Sequence, residues 1–289
     1  MFAGFNLDLL SNSNSDGSKI INFDEFKEIG KNHLNKQNTN YKKALKNYII
    51  NGTTDGTKLQ DDWFPQVNAD IFISHSHMDI GLAQGLAGWL HKNFKLNCFI
   101  DSNVWGYADE LLEIINSQYS DKREDNDGGY LYNHTKCNTA SKHVSVMLSI
   151  ALQKMIDKTE ATFVINTNNF IQKYEDIYES ATYSPWIYTE IVCTELVRNK
   201  PLSEYRKQIV EFAKKSIQES YDESQYSAAY KVSLEHLKNI NINTLCDWKN
   251  SKIKCEYEYP LDKLYLITHT EEMKKLNELY TKNPYILLG

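Results

Sequence analysis

Residues 70–101, DIFISHSHMDIGLAQGLAGWLHKNFKLNCFID, change character twice over a short distance. Ile71-Phe72-Ile73 is a continuous apolar run, LAQGLAGWLHKNF repeats its apolar residues at helical spacing, and Cys98-Phe99-Ile100 is apolar throughout again. Short apolar runs joined by an amphipathic stretch read as strand, helix, strand. A strand with apolar side chains on both faces belongs inside a parallel sheet that helices cover on both sides.

The same alternation continues outward. A second helix fits ADELLEIINSQY, and Val144, Met147, Leu148, Ala151, Leu152, Met155 and Ile156 fall at the spacing of a further strong helix. Thr162 to Ile165 reads as the next strand, and residues 120–141 read as a long polar insertion. Past Leu196 the pattern gives helices over about 202–219 and 226–240, the runs KIKCEYEY and KLYLIT, and a closing helix near 270–282. Residues 1–66 start Ser/Asn-rich and continue as the weakly amphipathic FDEFKEIGKNHLNKQNTNYKKALKNYII, which predicts a helical extension ahead of the main domain. The expected organisation is an extension over 1–66 and an α/β domain over 67–289, with insertions at about 120–141 and 201–242, the latter helical. SNSDGSKIINFDEF imitates a calcium loop, but with Gly17 at the sixth position the twelfth falls on Phe23, so a solvated capping loop is expected.

Composition narrows the function classes. With 41% hydrophobic residues in 289, the chain can bury a substantial core, and its net charge of -6 without a concentrated basic face speaks against nucleic acid as a partner. The N-terminal stretch has no basic segment leading into an apolar run, and no stretch approaches the length of a membrane span, so a cytoplasmic protein is expected. Cys98, Cys137, Cys193, Cys246 and Cys255 are odd in number and scattered, with no CxxC spacing, which points to neither a disulfide framework nor a zinc site.

Ligands of open parallel sheets gather beyond the carboxyl ends of the strands. Three loops lie there: SHSHMD after Ile73, DSNVWGYAD after Ile100 and NTNNF after Ile165. Ser74, His75, Ser76, His77 and Asp79 can meet phosphates at a helix start or can form a capped turn, and two histidines at this spacing without a further ligand favour hydrogen bonding over a metal. Asp101 can touch a ribose or cap the next helix, and Trp105 can offer a stacking surface or fold back on the core. In SPWIYTEIVCTEL, residues 184–196, Ser184 suits the N-cap and Pro185 the first helical position. Glu190 then lies too deep for a capping box, in a stripe with Trp186, Cys193 and Val197 that is otherwise apolar. Periodicity alone favours a solvent-edge glutamate paired with lysine or arginine; a carboxylate in a cleft is the alternative.

DIFISHSHMD, CFIDSNVWG, TFVIN and SPWIYTEIV, in that order, resemble the TIR (Toll/interleukin-1 receptor) family, and within it the bacterial TIR proteins of Thoeris anti-phage defence systems. The likeness runs from about residue 69 to residue 198. It implies a flavodoxin-like TIR fold, a parallel sheet with helices on both faces. It also implies an enzyme of the NAD+ glycohydrolase or ADP-ribose cyclase type, cutting NAD+ at the nicotinamide–ribose bond. Glu190 matches the glutamate of the family's W-x-x-x-E helix and carries the catalytic expectation. Trp186 carries the place beside nicotinamide, while Ser74, His75, Ser76, Asp101 and Trp105 match segments lining the pocket or serving assembly. NAD+ is then substrate rather than cofactor, and no metal or other cofactor is expected. The expected partners are further copies through TIR surfaces, a phage-derived trigger, and an effector reached by a diffusible, cyclic ADP-ribose-derived signal. A TIR adaptor without catalysis is the competing class, with Glu190 structural. Another N-glycosidase would share the sheet but not the motif order.

Overall fold

The computed structural model describes residues 1–9, 21–37, 45–50, 53–125, 128–174, 178–206, 230–251 and 259–275. Its centre is a parallel sheet of strands β1 (Ala3–Asp8), β2 (Ile71–Ser74), β3 (Cys98–Ile100), β4 (Ala161–Asn166) and β5 (Lys238–Asn241), in the spatial order β5-β1-β4-β2-β3. From β2 the chain goes to β3 on one side and then to β4 on the other, the flavodoxin-like beginning. The two places beyond β4 are filled by β1 and, at the edge, by β5.

Alternation along the strands divides the core. Ile71, Ile73, Cys98, Ile100, Ala161, Phe163 and Ile165 meet helices α1 (Lys27–Gln37), α3 (Ile80–Phe94), α8 (Ile242–Asn250) and α9 (Pro260–Thr268) on one face. Phe72 and Phe99 point the other way, into helices α2 (Gly56–Trp63), α4 (Ser102–Tyr119) and α5 (His134–Lys158). Val164 also faces that side and packs on Ile187 and Ile191 of helix α6 (Pro185–Leu196). Helix α7 (Leu202–Arg206) follows. Side chains of successive strand residues point to opposite faces, so an all-apolar run needs cover on both.

The structure differs from the sequence reading at several places. Of the stretch expected to be helical, Lys27–Gln37 is α1, but Ala3–Asp8, instead of preceding the domain, is an interior strand paired with β4 and β5. Only its alternate residues Ala3, Phe5 and Leu7 are buried, and Gly4 makes room for Leu237, whose Cδ2 would lie 2.5 Å from a Cβ there. The insertion expected to run to residue 141 ends sooner, because α5 starts at His134 on the N-cap Asn133; its first turns are exposed and carry no apolar period. The helix expected over 226–240 gives way to strands Tyr230–Lys231 and β5 where the chain is described, and KLYLIT lies in α9. KIKCEYEY, apart from Tyr259, falls outside the described residues, as do most of the helix expected over 202–219 and the end of that near 270–282.

Helix α1 lies unusually close on α3. A Cβ at Gly30 would stand 1.9 Å from the carbonyl oxygen of Gln84, and one at Gly88 2.1 Å from that of Phe26. Backbone against backbone leaves no flexible side chain to yield, so Gly88→Ala should lower the unfolding free energy read from a denaturant titration by about 1–3 kcal/mol, the cost of overpacking, despite its gain in helix propensity. Gly81→Ala, in the same helix but facing only the flexible end of Lys27 at 3.1 Å, should be neutral or stabilising. Equal effects of the two substitutions would show that the close approach is not what holds α1.

Candidate active site

Strands β2, β3 and β4 deliver their following loops to one edge of the sheet, and the reversal of strand order at β2 opens the chain there. Ser74 ends β2 and His75 follows it, both fully buried. Ser76 is buried as well and precedes the short 3-10 turn His77–Asp79, without a side-chain capping bond. The serines of this loop therefore face the interior rather than offering an open phosphate cradle.

The turn is tied to the loop after β4. Thr167 donates its hydroxyl to Asp79 Oδ2, and Asn169 Nδ2 donates to Asp79 Oδ1 at 2.8 Å. The NTNNF loop thus acts as a clamp on the first loop. Asp79 belonged to the sequence-level candidates, but nothing in its spacing indicates partners so far along the chain.

After β3, Asp101 caps α4, accepting from the Ser102 amide at 2.7 Å. Its Oδ1 also lies 2.9 Å from His75 Nδ1. Of the alternatives in the sequence the cap is formed, and the capping carboxylate is buried against the β2 loop. Trp105 falls within α4, and its side chain is not among those described.

Helix α6 begins as its sequence requires, with Ser184 accepting from the Ile187 amide at 3.3 Å and Pro185 in the first turn. Ile187 and Ile191 lean on Val164, while Trp186, Cys193 and Val197 pack toward the cluster around α5, with Trp186 partly buried at its margin. Glu190 lies between these sides, 1% exposed, and accepts from Ser74 Oγ at 2.6 Å. Its other neighbour is Asp101, within side-chain hydrogen-bonding reach. Among the described residues no lysine or arginine pairs with Glu190, so the solvent-edge ion pair favoured by periodicity alone is not formed.

The electrostatics follow from burial. Desolvation, then the charge of Asp101, holds Glu190 well above the usual carboxylate range, with the Ser74 bond acting the other way. Desolvation raises Asp101 to about 7. His75 is pushed down to about 4 by burial, against the pull of Glu190, and is neutral. Among the described residues Asp101 Oδ2 and Glu190 Oε1 have no other donor. Two ionised carboxylates accept only, whereas one proton held between them satisfies both.

Among the described residues no group of three or more histidine, cysteine, aspartate or glutamate side chains is placed to hold a metal ion, and no helix is long and apolar enough to cross a membrane. Among the described residues no disulfide joins Cys98, Cys137, Cys193 and Cys246. No protein-family model, curated protein or solved structure matches the chain.

The acid pair has a consequence for stability. Carboxyls with raised pKa bind protons more tightly in the native state, so their contribution is complete below the ordinary carboxyl range and is lost as pH rises through the folded values. His75, lowered, acts oppositely between about 4 and its ordinary value of 6.5 and offsets one carboxyl there. Above that value the carboxyls act against the buried N-terminal ammonium of Met1, which is lowered from 8.0 to about 6 and adds stability as pH rises to 8. The pair's own share should fall from pH 6.5 upward, by about 1.4 kcal/mol per pH unit for each proton retained, and is read as the difference between wild type and a variant lacking one carboxyl. Urea titrations of Glu190→Gln across this range should give a flatter profile and a more stable protein at the alkaline end; an unchanged slope would refute the shared proton.

Proposed function

We propose that this chain is a TIR-like enzyme that cleaves NAD+ at the nicotinamide–ribose bond and releases an ADP-ribose-derived, cyclic signal for a separate effector in anti-phage defence. The observation that carries the reading is the placement of Glu190: a single acid of α6 lies at the carboxyl edge of the sheet, oriented by Ser74 and facing Asp101. Loss of nicotinamide leaves a ribose with oxocarbenium character, and a carboxylate already fixed beside it stabilises that charge with little reorganisation.

Glu190 must ionise to do this. In the sealed site burial and the neighbouring Asp101 favour its uncharged form. A positively charged nicotinamide ring reverses the balance, because a nearby cation favours the ionised carboxyl and acts strongly where water is excluded. Asp101 is then placed to hold a ribose hydroxyl, and Trp186, one turn before Glu190, to offer its ring to nicotinamide. Assembly through TIR surfaces, with Trp105 near the contact, and release of the sealed state by a phage-derived trigger complete the reading.

One observation favours the competing adaptor class. An acid 1% exposed and hydrogen-bonded to Ser74 is also what a structural core glutamate looks like. Nicotinamide release in phage-challenged cells, followed by mass spectrometry, separates the two. Glu190→Gln should reduce it on the order of 10²-fold or more, the usual cost of removing one preorganised charge-stabilising group. Equal release by wild type and variant sinks the catalytic role. If Glu190 acts ionised, kcat/KM should rise with pH on an acid limb displaced above the ordinary carboxyl range.

A further inference from the structure

We infer that the Asp101–Glu190 pair is a receptor for an organic monocation, and that the proton between the two carboxyls is the placeholder this ligand displaces. Buried acids are ordinarily compensated by a lysine, an arginine or a metal. Here both carboxyls are buried, and among the described residues Asp101 Oδ2 and Glu190 Oε1 have no donor beyond the proton between them. The remaining oxygens are already engaged, Oδ1 by the Ser102 amide and His75, Oε2 by Ser74.

The titratable groups acting on the pair do not supply the missing charge. His75 at the end of β2 is neutral, Asp79 at the start of α3 is an acid tied to Thr167 and Asn169, and Cys193 lies one turn further along α6. Among the described residues no cation stands on the pair, and the proton is the one positive charge between its carboxyls. A metal ion would need more ligands than the described residues bring together. A flat organic cation needs only the two carboxyls and an apolar surround. Entering between them it breaks their mutual hydrogen bond and takes over the one positive charge that the proton supplied, so the net charge of the pair is unchanged and the proton leaves to solvent.

The choice of a pyridinium ring as that cation rests on the NAD+ reading; the cation requirement rests on the pair alone. The consequence is selectivity by charge, with a neutral ring of the same shape unable to displace the proton. Isothermal titration of the full chain with 1-methylnicotinamide, in buffers of different protonation enthalpy, reads this directly and requires no turnover. The cation should bind with release of a proton, its affinity rising with pH by about tenfold per unit for each proton released. Uncharged nicotinamide should release none. Asp101→Asn, which retains a good helix cap, and Glu190→Gln should both abolish the pH slope. Absent binding of the cation, binding without proton release, or a slope unchanged in the folded variants would overturn the proposal, as would proton release driven equally by magnesium chloride. Failure of NAD+ cleavage alongside proton-coupled binding would instead count against the enzymatic reading alone.

Discussion

Strand β2 is hydrogen-bonded on both edges, to β3 through Ile71–Ile73 and to β4 through Ile71–Ser74. Its side chains are buried in two different cores, Ile71 and Ile73 under α3 and Phe72 under α4 and α5. A register slip by one residue would exchange these sets, which is why the pairing is so strongly specified. Ser74 and His75 inherit that fixity. They leave the sheet at a defined point, and Asp101, Asp79 and Glu190 are all arranged around them.

What the sheet holds in place is an electrostatically expensive object. Asp101 and Glu190 are excluded from water side by side, and their ionised forms repel each other. Such a pair survives in a folded chain because a proton, cheap at neutral pH, replaces the counter-ion, and because Ser74 and the Ser102 amide donate to the other oxygens. The stability given up at this spot resides in the same groups that would act on a cationic substrate. Clamping of the first loop by Thr167 and Asn169 keeps the cluster from relaxing into solvent.

Much of this was legible along the chain, for identifiable reasons. Strands β2, β3 and β4 are apolar on both faces, and α3, α5 and α6 carry strong periodicity or end signals, so the centre of the sheet and its ligand edge could be read. Strand β1 could not, since Gly, Asn and Asp between its buried residues have low strand propensity. Strand β5, with sequence KNIN at the edge, buries only Ile240. Both acquire their conformation from neighbours already in place.

By itself the sequence determined the alternation of strands and helices, the start of α6 at Ser184-Pro185, and the presence of Glu190 on an apolar stripe, because each of these is a local matter of period and end chemistry. It left open what compensates that acid. Only the tertiary structure decided that the partner is Asp101 rather than a lysine or arginine, that Ser74 orients it, and that an N-terminal strand fills the sheet beside β4. Proximity across long separations comes from packing two faces of a sheet, and local patterns carry no record of it.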